Sequence, residues 1–131
     1  MVMNAPSRSA DGFPPLIACP STVSKAARCS RTVECFDAGM KPVGCAGVHT
    51  WEAFAYGDLP AGSQVKTAKD NPTVGEVCSL KTLLLVYLPA VGWGVDVLLP
   101  ELSAQQAGPT TFRCLAGRPP STVTGQQLRR Q

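Results

Sequence analysis

No C-x-x-C pair occurs in this chain, there is a single histidine, and charged residues make up only 16% of its 131 positions. The first two absences argue against a metal centre, because zinc sites draw on tight cysteine pairs or on several histidines at fixed offsets. No basic stripe with interleaved aromatics is present either. The net charge of +3 comes from scattered lysines and arginines, so a nucleic-acid partner is set aside. A G-x-S-x-G nucleophile turn is missing, and Gly92-Trp93-Gly94 leads into no phosphate-binding loop. Residues 82–100 are almost uncharged, yet Pro89, Gly92, Gly94 and Asp96 interrupt them. A spanning helix needs about twenty predominantly apolar residues without such breaks. The residues after Met1 contain no apolar signal core.

What is abundant is punctuation. Twelve prolines and twelve glycines divide the chain into short elements, while an apolar content of 44% is enough for a folded core. Six cysteines, Cys19, Cys29, Cys35, Cys45, Cys78 and Cys114, stand at successive separations of ten, six, ten, thirty-three and thirty-six. An even number so widely spread reads as a disulfide framework, and therefore as a protein of an oxidising, extracytoplasmic compartment. On that reading the export signal or membrane tether is expected outside this chain.

The expected organisation is a flexible tail or linker over 1–15, one disulfide-stapled domain over 16–117, and a flexible tail over 118–131. Residues 32–36 and 42–46 form a strand pair around a glycine-containing turn, which sets Cys35 nearly opposite Cys45. Residues 50–56 read as a strand with Trp51, Ala53 and Ala55 on one face and Glu52, Phe54 and Tyr56 on the other. Residues 64–71 read as an exposed loop. From Pro72 a helix is expected to run to Pro89, capped by Asn71, with Val74, Val77, Cys78, Lys81, Leu84 and Leu85 on its stripe. A turn at 91–94, a strand at 95–99, a short helix at 100–108 and a last strand at 110–115 complete the list of elements. Cys78 on the helix and Cys114 on the last strand are natural partners, and such a bridge contributes about 3–4 kcal/mol in the chain-entropy treatment. A Cys19–Cys29 bridge would close a short loop, one pairing among the fifteen connectivities open to six cysteines. The fold class is α+β: a small stapled domain with an antiparallel sheet of about four to five short strands on one main helix.

These features resemble the septum formation family of actinobacterial envelope domains. The resemblance rests on Val33-Glu34-Cys35-Phe36, Val43-Gly44-Cys45, the run from Val48-His49 to Ala55, Val77-Cys78, Leu99-Pro100, Ala107-Gly108 and Phe112-Arg113-Cys114-Leu115, and it extends over residues 32–129. Val48 stands where that family carries proline before the histidine, Glu34 stands in place of an aspartate, and the Cys19–Cys29 segment is additional. The resemblance implies an extracytoplasmic module, membrane-tethered or secreted, with no known reaction.

For chemistry, His49 with Glu52 is the one tempting acid–base pair. Residues three apart on a strand point to opposite faces, so the two meet only if His49 lies in the preceding turn. The plainer reading is a structural histidine bonded to a backbone carbonyl. Asp58 and Asp70 read as turn aspartates, and Trp51 and Trp93 as core residues or, if exposed, binding platforms. No catalytic residue, metal or cofactor is assigned. The expected function is a non-enzymatic binding domain whose partner is an envelope protein or cell-wall glycan. The alternative is a secreted inhibitor or toxin presenting a rigid loop at 62–71.

Overall fold

In the computed structural model, residues 14–59, 65–88, 92–100 and 110–130 are described below. The chain is a small α+β domain whose fifteen-residue helical segment, 72–86, packs on a curved antiparallel sheet stapled by three disulfides.

The centre of the sheet is its longest strand, β6 (Trp51–Asp58). Along one edge it pairs with β2 (Arg28–Ser30) near its end and with β3 (Cys35–Phe36) near its start. Beyond these lie β1 (Leu16–Ala18) and β4 (Pro42–Val43). The other edge carries β9 (Thr111–Gly117) and then β8 (Gly94–Leu98), so the sheet is about five strands wide. Two small ladders lie off this sheet. In one, β5 (Val48–His49) pairs with β10 (Val123–Thr124), and in the other β7 (Tyr87–Leu88) pairs with β11 (Arg129–Arg130). Among the described residues no helix is long and apolar enough to cross a membrane.

The helical segment has two N-terminal signals and is accordingly two helices. Asn71 accepts a hydrogen bond from the Thr73 amide to start α1 (Pro72–Val77), and Pro72 needs no donor at that position. Eight residues after Asn71 the Ser79 hydroxyl accepts from the Thr82 amide and starts α2 (Leu80–Val86). The interruption shifts the helical phase. Val74, Val77 and Cys78 are buried as expected, but in α2 the buried positions are Thr82, Leu83 and Val86, while Lys81 and Leu84 are exposed. Tyr87 and Leu88 leave the helix as a strand rather than extending it.

In β6 the register slips between Ala53 and Ala55, which inserts Phe54 as a bulge opposite β9. The expected alternation therefore holds only for the first half of the strand. Trp51, Ala53 and Tyr56 face one side with Phe36 and Leu115, whereas Phe54 and Ala55 join the helix-side core with Val77, Leu83 and Phe112. Residues 65–70, read as a loop, form a 3-10 helix with Ala68 buried. In the β3–β4 hairpin the left-handed residue is Met40, at φ 64°, while Asp37 accepts from the Gly39 and Lys41 amides. The helix expected at 100–108 and most of the tail expected at 1–15 lie outside the described residues.

The largest difference from the sequence expectation is at the C-terminus. Residues 118–130 run back over the domain as a strap that supplies β10 and β11 and buries Leu128 completely. A flexible tail was expected because the segment is polar, lacks periodicity and contains Pro119-Pro120. It is held by contacts with distant residues, which local composition does not reveal.

Candidate functional site

The single histidine and its acidic neighbour do meet. His49 ends β5 and Glu52 lies one residue into β6, and the intervening Thr50 breaks the strand, so the period-two rule does not apply between them. Thr50 donates its amide to the Phe36 carbonyl at 2.9 Å, which fixes that corner. The His49 Nε2 to Glu52 Oε2 distance is 2.7 Å, and both side chains are wholly buried. The other ring nitrogen, Nδ1, donates to the Gly47 carbonyl at 2.9 Å, the backbone bond the plainer reading expected.

Glu52 is the hub of this cluster. Its Oε1 accepts from the Leu128 amide at 2.8 Å, and its Oε2 from the Gln127 amide at 2.8 Å. A carbonyl oxygen on Nδ1 can only accept, so Nδ1 keeps its hydrogen, and one further proton is held between Nε2 and Oε2. An ionised carboxylate buried without such partners would cost several kcal/mol. Three hydrogen bonds satisfy it, and the strap provides two of them. The Cys35 Sγ completes the group: one ligand-type atom each from Cys35, His49 and Glu52 lie within 4.8 Å of one another. That sulfur is bonded to Cys45, so in this state it is no thiolate ligand.

The three bridges are Cys19–Cys29, Cys35–Cys45 and Cys78–Cys114, and no cysteine is free. Cys78–Cys114 ties the end of α1 to the middle of β9 within the helix-side core, and both of its residues are buried.

A second polar network lies on the opposite face of the sheet, and sequence reasoning missed it. Glu34, just before β3, accepts from the Tyr56 hydroxyl at 2.6 Å and from Arg113 Nε at 2.9 Å. Arg113 also stacks over Phe36, 5.6 Å from the ring centre. Burial pushes the Tyr56 phenol well above its usual range, and the Glu34 charge and hydrogen bond add to the effect while Arg113 opposes it. The only sequence hint was an acidic residue set between Val33 and Cys35 in a short apolar run.

The remaining candidates separate readily. Trp51 and Trp93 are both buried, at 7% and 9% exposure, in different core clusters, and neither offers an open face to a ligand. Asp58 accepts from Arg28 and from the Thr111 hydroxyl, each at 2.8 Å, while Asp70 ends the 3-10 helix.

Among the described residues, a surface concavity of about 420 Å³ is bounded by Pro15, Ile17 and residues 30–32, and two larger ones lie on the two sides of the Cys19–Cys29 loop. One, of about 470 Å³, is bounded by β1 and the loop. The other, of about 530 Å³, lies between the loop and the helical segment and brings Ser24, Lys25, Glu76, Ser79 and Lys81 together. Nothing in the sequence reading singled out either groove, because the loop and the helix are some fifty residues apart along the chain. Comparison with known proteins found no matching family model, no matching curated protein and no matching solved structure.

Proposed function

We propose that this chain is a non-enzymatic, extracytoplasmic binding domain of the bacterial cell envelope, acting in septum formation or cell-wall processes. The observation that carries the reading is that all six cysteines pair within one small domain. A domain whose stability rests on three bridges belongs where thiols are oxidised. The link to septum formation rests on the resemblance of residues 32–129. The His49–Glu52 pair is sealed inside the fold with its oxygens committed to backbone amides, so it supports architecture better than turnover.

The binding surface we favour is the 530 Å³ groove between the Cys19–Cys29 loop and the helical segment. It offers hydroxyls from Ser24 and Ser79, two ammonium groups from Lys25 and Lys81, and the Glu76 carboxylate. That mixture suits a hydroxyl-rich polymer bearing acidic and amide groups, as cell-wall glycan does. The inhibitor alternative required a rigid exposed loop at 62–71, and the helical turns at 65–70 with buried Ala68 do not favour it.

Co-sedimentation of the oxidised domain with purified insoluble cell-wall glycan tests the proposal. Wild type is expected to pellet with the glycan, and the Lys25→Glu/Lys81→Glu variant to bind at least about tenfold more weakly, a loss of roughly 1.4 kcal/mol. A folded wild-type domain that stays in the supernatant, and that also captures no envelope protein, sinks the binding reading.

A further inference from the structure

The Cys35–His49–Glu52 cluster is built like a metal site with one ligand locked away. His49 presents Nε2 to the cluster while Nδ1 donates to the Gly47 carbonyl at 2.9 Å. Glu52 presents Oε2, which also accepts from the Gln127 amide at 2.8 Å, while the Leu128 amide holds Oε1 at 2.8 Å. Bonds such as those to His49 Nδ1 and Glu52 Oε1, from backbone groups to the atom away from the ion, are what orient histidines and carboxylates on metal ions. The Cys35 sulfur lies within 4.8 Å of the other two ligand atoms, and Cys45 is joined to it. The disulfide keeps the Cys35 sulfur from serving as a ligand, and the Cys45 sulfur, bonded to it, lies outside the group of three.

We propose that reduction of the Cys35–Cys45 bridge converts this cluster into a zinc site with Cys35, Cys45, His49 and Glu52 as its four ligands. The reductant is a dithiol. One of its thiolates attacks the half-buried Cys45 sulfur and expels Cys35, and its second thiolate then breaks the mixed disulfide. Two electrons pass to the protein sulfurs, the dithiol leaves as a disulfide, and its two protons end on Cys35 and Cys45. Zinc binding then sends both thiol protons to solvent, together with the proton held between Nε2 and Oε2.

The dimensions suit the ion. Zinc–nitrogen and zinc–oxygen bonds near 2.1 Å at tetrahedral angles set those ligand atoms roughly 3.4 Å apart. The His49–Glu52 pair, now at 2.7 Å, has to open by only roughly 0.7 Å to reach that tetrahedral separation. Cys45 is half-buried just after β4, between the exposed Gly44 and Ala46, and its side chain has to turn from the Val33 carbonyl, 3.2 Å away, to join the set. The hairpin does not depend on the bridge alone, since β3 is paired with both β4 and β6. The other bridges offer no such set: among the described residues this is the one grouping of three potential ligands.

The test uses Co²⁺ as probe on the Cys45→Ala variant, which frees Cys35 beside His49 and Glu52 while the other two bridges stay oxidised. The variant is expected to bind one Co²⁺ per chain with a thiolate-to-cobalt charge-transfer band, lost on adding equimolar Zn²⁺. Oxidised wild type is expected to show no band, and wild type reduced at Cys35–Cys45 a band about twice as intense, from two thiolates. Cys35→Ala, with its lone thiol at the rim, is expected to bind at least about tenfold more weakly. A Cys45→Ala protein with native circular dichroism and no band overturns the proposal. So does a band that survives unchanged in Cys45→Ala/His49→Gln. Should Cys45→Ala fail to fold, the same reading is taken on wild type in which mass spectrometry shows this bridge alone opened.

Discussion

At the scale of single residues, the domain concentrates its buried polarity at two points, one on each face of the sheet. Glu52 holds the strap and His49 on the helix side, and Glu34 holds Tyr56 and Arg113 on the other. The second network has a measurable consequence. The chain contains two tyrosines, Tyr56 and Tyr87, and burial is the leading cause of an upward shift in both phenols. For Tyr87 the Arg130 guanidinium opposes that shift without cancelling it. In the unfolded chain each phenol loses its proton near the ordinary value of 10.0. The folded state therefore holds more protons above that pH, so stability is fully present below it and falls as pH rises through it. Ultraviolet titration of the native protein should show both phenols ionising above pH 10, with the Tyr56 signal withheld until the chain unfolds. A tyrosinate signal appearing near pH 10 with native circular dichroism intact would show that the buried network is open.

At the scale of elements, close approach of strands is bought with glycine at one place above all. Gly117 ends β9 between Trp51 of β6 and Gly94 of β8. A Cβ there would overlap the Thr50 carbonyl oxygen and press to 2.9 Å from the Trp51 ring. The obstructing atom is backbone at the corner that positions His49, so it cannot swing aside. Gly117→Ala is expected to cost at least about 1–3 kcal/mol in urea unfolding, as overpacking does in a tight core. A variant as stable as wild type would mean the Thr50 corner yields. This glycine was not legible beforehand, because its role depends on a strand sixty-six positions earlier. What was legible had local causes. The Asn71-Pro72 start, the Cys35–Cys45 hairpin and the existence of β6, β8 and β9 follow from caps, turns and β-branched or aromatic runs. Ser79 was equally visible as a capping residue. Its effect was overlooked because the apolar run on either side suggests one continuous stripe, and the break then moved Lys81 and Leu84 outward. The Phe54 bulge is a different case, since β6 extended without it would have kept strict alternation, and only pairing with β9 reveals the extra residue.

At the scale of the whole molecule, the candidate site depends on the strap as much as on the strands that carry its side chains. Local sequence supplied His49 and Glu52 but not their environment, because Gln127 and Leu128 are seventy-five and seventy-six positions from Glu52. The strap is joined to the body at both ends. Val123–Thr124 pairs with Val48–His49, and Arg129–Arg130 pairs with Tyr87–Leu88. Arg130 also donates to the Ser30 carbonyl at 3.1 Å, linking groups one hundred positions apart, and stacks over Tyr87. Between these anchors Leu128 is the strap's one fully buried side chain, inserted in the helix-side core. Leu128→Ala removes that anchor while leaving both hydrogen bonds to Glu52 possible, since those use backbone amides. The expected cost is about 2–5 kcal/mol, typical of a leucine deleted from a packed interior. Because that loss falls on the strap, hydrogen exchange at the Gln127 and Leu128 amides should accelerate more than exchange within β6 and β9. Uniform acceleration across the sheet and strap would instead make the strap part of one cooperative unit with the sheet. An unchanged unfolding midpoint with unchanged exchange would show that the Leu128 side chain does not anchor the strap.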